Sequence, residues 1–308
     1  MYVEKRRSGG EIKYYLVHSY REGGEVKKLR RYLGKNLSEK ELVAARERAE
    51  GELKPRLDEL RMQIFNFALT KNQVKKLNDY EDKIRIYHLE DINWARFTEE
   101  FVYNTNAIEG STVRLDEVKE LLKNERVPQD SDEIETKNVA RAVDYIRKTK
   151  RDLSLDLIKK LHEICFESSK EFAGKLRDVE VVIRDGGGEI VHSGAPVKDL
   201  DYYLRDFVEW YNENKSNFKP LILAAIIHNQ FEHIHPFQDG NGRVGRLLLN
   251  FILIRNKYPP INIALEDRQK YYSALKEYSK DNNLRPTIKY LIGQYNKTLK
   301  KVSTKNKK

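Results

Sequence analysis

Apolar positions follow two different periods along this chain, and the change between them divides the sequence. Apolar and polar side chains alternate in residues 1 to about 36, as in Tyr14, Leu16, His18 and Tyr20. A period of two is typical of a β-strand with one buried face. Glycines at 9–10 and 23–24 interrupt the alternation and predict turns. The segment is therefore predicted to be a small antiparallel sheet of two or three strands.

From residue 37 the apolar period becomes helical. Ser38 and Glu41 have the S-x-x-E spacing of a capping box, which begins a helix. The apolar stripe that follows consists of Leu57, Leu60, Ile64, Phe67 and Ala68. We therefore predict a helical arm or helical hairpin over residues 37–90. Residues 91–298 carry mostly helical patterns and form the main domain, and residues 299–308 are a basic tail that should fray.

One segment inside the helical region returns to a period of two. Val179, Val181 and Ile183 alternate with polar residues, glycines occupy 186–188, and an apolar strand resumes at Ile190. This pattern predicts a β-hairpin. The fold class is therefore mainly α, with one hairpin among the helices and a small antiparallel sheet at the N-terminus.

The strongest candidate for chemistry is the stretch HPFQDGNGRVGR, residues 235–246. Its Gly-Asn-Gly run allows the backbone to adopt positive φ and to direct successive N–H groups at one anion. An apolar run follows, made of Val244, Leu247, Leu248, Leu249, Phe251 and Ile252. It predicts a buried helix that begins just after the loop. An anion in the loop would therefore also meet the positive end of the helix dipole.

Charged side chains in the same stretch suit a nucleoside triphosphate. Arg243 and Arg246 are three residues apart, so they share a helical face and can bind the same anion. Asp239 offers a hard oxygen ligand for Mg²⁺, an ion that keeps several waters and bridges phosphates. The alternative is that both arginines lie on the solvated face of a surface helix. The Gly-Asn-Gly run directly before them favours phosphate binding instead.

These residues match the signature HPFx[DE]GNGRxxR at every fixed position, so the chain resembles the Fic (Fic/Doc) family. Most members of that family transfer AMP from ATP to a hydroxyl group of a target protein. The resemblance implies a Fic-type helical bundle in which His235 is the general base. His235 would take the proton from a target Ser, Thr or Tyr as that oxygen attacks the α-phosphate. Removal of such a base costs on the order of 10²–10⁴ in rate.

The resemblance implies a role for each remaining position of the signature. Asp239 would hold Mg²⁺ on the α- and β-phosphates of ATP. Gly240, Asn241 and Gly242 would cradle phosphate oxygens, and Arg243 and Arg246 would reach the β- and γ-phosphates. Arg268, Tyr271–Tyr272 and Leu284–Pro286 are similar to the closing helices of the family, and Tyr272 would contact the adenine.

A second motif precedes the first. Thr105-Asn106-Ala107-Ile108-Glu109-Gly110 fits [ST]xxxE[GN], the inhibitory-helix motif of the family. The resemblance implies that Glu109 pairs with Arg246 and denies it to the γ-phosphate, because a carboxylate competes with phosphate for the same donors. The alternative is an ordinary helix end before Gly110. Arg114 stands where relatives often have Thr, so we expect the next helix either to start more loosely or to be capped by Ser111 or Thr112.

The predicted hairpin, about residues 177–192, occupies the position of the family's flap. There it would dock a target through main-chain hydrogen bonds at an exposed strand edge. A plain connecting hairpin is the alternative.

Three other interpretations use the same residues. The inhibitory glutamate positions a hydrolytic water in some relatives, so a hydrolase that removes AMP would need the same His235, Asp239 and Glu109. An adaptor that only binds nucleotide has no use for the base His235. His228, His233 and His235 have an H-x4-H-x-H spacing that suggests zinc, but no cysteine or carboxylate pattern accompanies it. We therefore expect His228 and His233 to pack behind the loop.

The distribution of charge suggests nucleic acid as an alternative partner. The 308 residues carry a net charge of +10, and the N-terminal segment is rich in cations. Its basic residues, Lys5, Arg6, Arg7, Lys13, Arg21, Lys27, Lys28, Arg30 and Arg31, lie beside Tyr14, Tyr15 and Tyr32. Such a mixture binds phosphate backbones and stacks bases. Interspersed acidic residues and the lack of a helix-turn-helix or zinc pattern favour a solvated face or a protein-docking module instead.

The remaining features of the sequence indicate where in the cell the protein is expected. The sequence has no run of 18 apolar residues and no apolar leader, so we expect neither a membrane span nor secretion. Cys165 is the only cysteine, it cannot form an intrachain disulfide, and a cytoplasmic location is expected. A homodimer is compatible with the sequence.

Overall fold

The computed structural model describes residues 1–8, 10–22, 25–61, 63–64, 67–84, 86, 89–184 and 190–302. The chain forms two compact units, Met1–Gln73 and Val74–Lys308.

The first unit contains the predicted sheet. Strands β1 (Tyr2–Ser8), β2 (Glu11–Glu22) and β3 (Glu25–Lys35) pair antiparallel in the order β1-β2-β3. Helix α1 (Glu39–Arg61) follows it. Leu16 of the sheet and the α1 residues Ala49 and Leu53 form a small buried core, against which Leu29 and Leu33 pack. A sheet of three strands with one face covered by a helix confirms the N-terminal prediction.

The capping box at the start of α1 is also confirmed. Glu41 Oε2 accepts from the backbone N–H of Ser38 at 2.8 Å, and the Glu41 N–H donates to Ser38 Oγ at 3.5 Å. These bonds satisfy donors that would otherwise lack partners in the first turn.

The predicted helical arm over residues 37–90 differs from the structure. Helix α1 ends at Arg61, and two short antiparallel strands follow, β4 (Gln63–Ile64) and β5 (Phe67–Ala68). Helix α2 (Lys71–Asn78) and 3-10 turns at Glu81–Lys83 and Leu89–Asp91 complete the segment. Short apolar runs fit either period, and β-branched and aromatic residues favour the extended form here.

The boundary between the units lies after Gln73 rather than near residue 90. A buried carboxylate explains why the following segment belongs to the second unit. Glu81 accepts the N–H of Leu221 at 2.9 Å and the hydroxyl of Tyr258 at 2.6 Å. Both partners lie far along the chain, so a spacing argument could not have found this attachment.

Helices build the second unit around two central ones. Its helices are α3 (Trp94–Ile108), α4 (Leu115–Leu122), α5 (Ser131–Lys148), α6 (Leu155–Phe166), α7 (Leu200–Asn214), α8 (Pro220–Ile234), α9 (Asn241–Arg255), α10 (Arg268–Asp281) and α11 (Arg285–Val302). Nearly every residue of α8 and α9 is buried, and the two pack against each other. Because both helices are buried on most sides, they carry the connecting loop between them at a fixed place.

Two helix ends differ from the predictions. Helix α11 continues to Val302 because Leu299 and Val302 are buried, so the frayed tail does not begin at residue 299. Residues 303–308 lie outside the described part. Helix α4 begins at Leu115 without a Ser111 or Thr112 cap: Glu117 Oε2 accepts the Arg114 N–H at 2.9 Å. A glutamate in the first turn thus replaces the hydroxyl cap.

The hairpin prediction is confirmed for its strands. β6 (Val182–Arg184) and β7 (Ile190–Ser193) pair antiparallel, and the predicted turn at 186–188 lies outside the described residues. Cys165 is buried, and burial raises the pKa of its thiol to about 12. Among the described residues no helix combines the length and apolar character needed to cross a membrane.

Candidate active site

The backbone of the loop between α8 and α9 has positive φ at His235 and Gly240. His235 ends α8 with φ 52° and ψ 62°, and Gly240 precedes α9 with φ 80°. The buried amide of Asn241 then closes the loop on itself. Its Oδ1 accepts the Phe237 N–H at 2.9 Å, and its Nδ2 donates to the Phe237 carbonyl at 2.8 Å. The Asn241 side chain therefore shapes the loop.

His235 is half-buried at the mouth of this loop. Its Nδ1 lies 3.3 Å from the carbonyl oxygen of Glu232. Because a carbonyl only accepts hydrogen bonds, this contact requires the hydrogen on Nδ1 and places the basic lone pair on Nε2. The geometry suits a general base that acts through Nε2.

Asp239 presents a carboxylate to solvent, with 47% of its side chain exposed. Its Oδ1 accepts the Gly240 N–H at 2.6 Å and lies 3.4 Å from Nη2 of Arg243. Within the described residues no three His, Cys, Asp or Glu side chains gather as a metal cage. A single exposed carboxylate fits Mg²⁺ that takes its other ligands from phosphates and water.

A buried histidine that the sequence analysis missed holds the same loop. Nδ1 of His162 accepts the Gly174 N–H at 2.8 Å, so Nε2 carries the hydrogen and donates to the Asp239 carbonyl at 3.1 Å. Its ring stacks on Phe237 with centroids 3.8 Å apart. Burial lowers the pKa of His162 to about 4, so it stays neutral. An isolated histidine on an apolar helix gave no sequence signal for this role.

A buried arginine, also missed, ties the hairpin to the loop. Arg177 Nε donates to the His235 carbonyl at 2.7 Å, Nη1 to the Val179 carbonyl at 2.9 Å, and Nη2 to the Ala195 carbonyl. Its own N–H donates to the Pro236 carbonyl at 3.1 Å. Burial lowers the pKa of Arg177. One side chain thus fixes the backbone of the candidate base relative to both ends of the hairpin.

The two signature arginines have different surroundings. The guanidinium of Arg243 is buried, paired with the Glu135 carboxylate, and 4.3 Å from the ring centroid of Phe166. Both arginines were predicted to reach phosphates, and this stays a prediction; in the structure Arg243 contacts Glu135, Phe166 and Asp239. The prediction lacked Glu135, which approaches from α5, far away in sequence.

Arg246 contacts the last turns of α3. Its Nε donates to Thr105 Oγ1 at 2.7 Å, and its Nη2 donates to the Thr105 carbonyl at 2.9 Å and to Glu109 Oε1 at 2.7 Å. Burial alone would lower the pKa of Arg246, but Glu109, Tyr271 and Glu232 together more than offset this and hold it above its ordinary value. Glu109 and Arg246, paired by the sequence analysis, therefore meet in the structure.

Glu109 also approaches the start of α9. A β-carbon at Gly242 would lie 2.1 Å from Glu109 Oε1, closer than two such atoms can be. Glycine is thus needed at 242 for close approach and not for positive φ, whereas Gly240 does need its positive φ. The Glu109 carboxylate lies at the helix N-terminus, where a phosphate would be favoured.

Aromatic residues of α10 lie near Arg246 and the α8 histidines, and the Tyr271 ring centroid is 5.8 Å from the Arg246 guanidinium. Tyr272 is 41% exposed, and its hydroxyl donates to the Ile108 carbonyl at 3.3 Å. Tyr271 is buried, and its hydroxyl lies 2.9 Å from Nε2 of His228. His233 lies edge-on to Tyr278. The expected packing of His228 and His233 behind the loop agrees with these contacts.

Comparisons with known proteins agree with this geometry. A sequence profile described as the Fic/DOC family matches residues 152–253. Two relatives called "Protein adenylyltransferase Fic" are similar: that of Drosophila ananassae is 29% identical over 248 residues, 75% of this chain, and that of Drosophila virilis is 32% identical over 210 residues, 64% of this chain. The chain covers only 48% and 41% of those relatives.

A solved structure supports the fold independently. A Fic domain containing signaling protein from Bacteroides thetaiotaomicron superimposes with a TM-score of 0.62 and 27% identity, covering 73% of this chain and 93% of that one. The profile match over residues 152–253 includes α8, the loop and most of α9. The region of this chain that is similar to the Fic/DOC family is therefore the one that carries the candidate site.

Proposed function

We propose that this chain is a protein adenylyltransferase that transfers AMP from ATP to a Ser, Thr or Tyr hydroxyl of a target protein and is inhibited by Glu109. The observation that carries the proposal is the Glu109 carboxylate, 2.7 Å from Arg246 and against Gly242, at the mouth of an anion-binding loop. The similarity to relatives with that activity supports it. This chain covers less than half of their length, so activity and target are proposals for this chain.

The triphosphate would lie where the Glu109 carboxylate now lies. Arg246 would bind the γ-phosphate once Glu109 moves away, and the amide of Gly242 at the start of α9 would face phosphate oxygens. The Gly240 amide would join it by exchanging its bond to Asp239 Oδ1 for a phosphate oxygen. Arg243 and Asn241 would act by maintaining the loop, since Glu135 and Phe237 bind their polar atoms. The exposed ring of Tyr272 remains our prediction for an adenine contact.

Asp239 would hold Mg²⁺, because its exposed carboxylate is a hard oxygen donor. When bound there, Mg²⁺ neutralises charge on the phosphates and on the departing pyrophosphate. Arg243, through its contact with Asp239 Oδ1, and His162, through the Asp239 carbonyl, would keep that residue in place.

His235 would supply the base. Its Nε2 takes the proton from the target hydroxyl as the hydroxyl oxygen attacks the α-phosphorus of ATP. The bond from that phosphorus to the bridging oxygen breaks, pyrophosphate leaves, and AMP remains on the protein as a phosphodiester. Arg177, through the His235 carbonyl, would hold the base in position relative to the hairpin.

The β6–β7 hairpin would be the flap on which the target docks. Strand edges bind extended segments through main-chain hydrogen bonds, which orients a side chain without demanding a particular sequence. Arg177 and the bond from the Ala195 N–H to the Ile234 carbonyl at 3.0 Å join this hairpin to the loop. A docked hydroxyl would thereby be aligned with His235.

Intact-mass spectrometry tests the proposal. We would incubate the Glu109→Gly chain with ATP and Mg²⁺ and compare it with the Glu109→Gly/His235→Ala double variant. A mass increase of one AMP that the double variant lacks is the expected result. An added phosphate would assign a kinase-like reaction. No adduct, together with release of AMP from a modified protein, would assign the hydrolase. The Asp239→Asn change should lower the adduct to the amount that forms without Mg²⁺.

A further inference from the structure

The N-terminal sheet has one face against α1 and another that carries a regular pattern. Residues directly opposite each other on paired strands have side chains on the same face. The register places Leu16 and Leu29, which pack against α1, on one face. The other face consists of three rows across the sheet: Tyr2–Val17–Arg30, Glu4–Tyr15–Tyr32 and Arg6–Lys13–Lys35.

The middle row is aromatic. The ring centroids of Tyr15 and Tyr32 are 5.4 Å apart, and 50% of Tyr32 is exposed. The guanidinium of Arg6 lies 5.6 Å from the Tyr15 centroid, and Tyr2 of the next row is 46% exposed. Exposed rings beside cations can stack nucleobases whatever their sequence, because every base has a π-face.

Cations lie in the rows on either side. Arg6, Lys13 and Lys35 form one row, and Arg30 is the single cation of the other. Neighbouring rows are two residues apart along β1 and β2, about 7 Å at roughly 3.4 Å per residue. A chain of phosphates that crosses the tyrosines would therefore meet cations on both sides.

The acidic residues on this face do not close it. Glu4 lies 2.9 Å from Arg6 and 3.3 Å from Arg30, and Glu11 lies 2.8 Å from Lys35. These partners are solvent-exposed, and such ion pairs contribute only about 0–1 kcal/mol. A phosphate backbone can therefore exchange with the carboxylates. Glu4 is the single acid within the three rows, and its removal should strengthen binding.

We propose that this face of the sheet binds single-stranded nucleic acid, with bases stacked on Tyr15 and Tyr32 and phosphates on the flanking cations. A duplex keeps its base faces stacked internally and could use only the cations. An apolar peptide would need exposed apolar surface, but Val17 at the centre is buried. This face belongs to the first unit, and the α8–α9 loop belongs to the second.

Fluorescence anisotropy of a labelled 12-nucleotide DNA strand of mixed sequence, titrated with the 308-residue chain, tests the proposal. Affinity should fall linearly with salt on logarithmic axes, with a slope of about −2 to −3 for three or four phosphates. The Tyr15→Ala/Tyr32→Ala change should weaken binding at least tenfold, by the worth of one stacked base. The Tyr15→Phe/Tyr32→Phe change should retain it, and Glu4→Gln should strengthen it.

Two adjacent arginines provide a matched control. Arg30 lies on the face that carries Tyr15 and Tyr32, whereas Arg31 lies on the opposite face and pairs at 2.7 Å with Glu52 of α1. Arg30→Gln should weaken binding and reduce the salt slope by about 0.7, and Arg31→Gln should leave the slope unchanged. Far-UV circular dichroism checks that each variant folds. His235→Ala should bind the strand like the unmodified chain, which separates this result from the fate of the adenylyltransferase proposal.

Three outcomes would overturn the inference. They are an unmodified chain that does not bind at 50 mM salt, tyrosine-to-alanine variants that bind as tightly as the parent, and a duplex of the same sequence that binds as tightly as the single strand. The first would leave the face as a protein-docking or solvated surface. The last two would assign plain charge attraction.

Discussion

The carboxylate of Glu109 and the α-carbon of Gly242 are so close that a β-carbon at 242 would be 2.1 Å from Glu109 Oε1. The acid at the end of α3 thus occupies the space directly over the first turn of α9. Like charge in that space opposes a phosphate, and the same oxygen engages a donor that a phosphate would need. Under the proposed function, the Glu109 carboxylate and a phosphate of ATP would compete for a single position.

Removal of this carboxylate should activate the enzyme. We expect Glu109→Gln to increase incorporation of label from α-³²P-ATP at least about tenfold, because the like-charge repulsion disappears and the charge-assisted bond to Arg246 becomes a weaker neutral one. Glutamine retains the side-chain length and the helix end. Glu99→Gln removes another carboxylate of α3 and is the matched control. It should leave incorporation unchanged. Equal labelling of Glu109→Gln and the parent would contradict inhibition by this residue.

Thr105 should matter because its hydroxyl accepts the buried Nε of Arg246 at 2.7 Å. Thr105→Val keeps the shape of the side chain and leaves that donor without an acceptor. A buried unsatisfied donor costs about 1–3 kcal/mol, so the free energy of unfolding in urea should fall by that amount. Thr98→Val on the same helix serves as the control. Equal stability of the two variants would show that the hydroxyl is dispensable.

Arg177 should be required for both stability and turnover. Arg177→Met removes a buried cation whose N–H groups satisfy several carbonyl oxygens of the hairpin and the loop. We expect a loss of at least about 3 kcal/mol in the free energy of unfolding. In the folded fraction, kcat should fall more than KM for ATP, because His235 loses its backbone anchor while the phosphate cradle remains.

Lys175→Met, two residues away and exposed, removes the same charge without a buried partner. It should change neither quantity by more than experimental error. If Arg177→Met altered only stability and left kcat of the folded protein intact, the positioning role of Arg177 would be refuted.

Acid should destabilise the fold through its buried histidines. Burial lowers the pKa of His228 to about 3, while the unfolded chain protonates it near 6.5. Below pH 6.5 the unfolded state therefore binds a proton that the folded state excludes. The free energy of unfolding then decreases by up to about 1.4 kcal/mol per pH unit. Stability from this group is fully present above pH 6.5 and is lost as the pH falls.

His228→Gln keeps a hydrogen-bonding group near the Tyr271 hydroxyl but does not titrate. Urea unfolding at pH 7.5, 5.5 and 4.5 should show a shallower decline for this variant than for the parent. Parallel declines would mean that other groups dominate the acid response.

Local spacing predicted much of this site, because its principal parts are close in sequence. The loop, the start of α9 and the type of turn at Gly240 follow from residues 235–252 alone. The motif at Thr105–Gly110 predicted the meeting of Glu109 and Arg246. By contrast, Arg177, His162 and Glu135 contact the loop from 58, 77 and 108 positions away. A buried charge gives no signal until the partner that neutralises or solvates it is known.

The helical arm went wrong for a different reason. Its apolar positions between residues 57 and 68 fit a helical face, yet the helix ends at Arg61 and two short strands follow. Periodicity over so few residues does not separate the two structures. The boundary between the units depends on Glu81, whose partners lie about 140 and 177 positions away.

Arg246 is held to α3 by the hydroxyl and the carbonyl of Thr105 as well as by Glu109. If the glutamate swings aside, the other two bonds remain and the arginine stays ready for its ligand. Unlocking then requires only a rotamer change of one partly exposed side chain, a motion of picoseconds to nanoseconds, and no displacement of the helix. A latch of this kind opens often and briefly, so the resting protein should retain a low basal turnover that rises with ATP concentration.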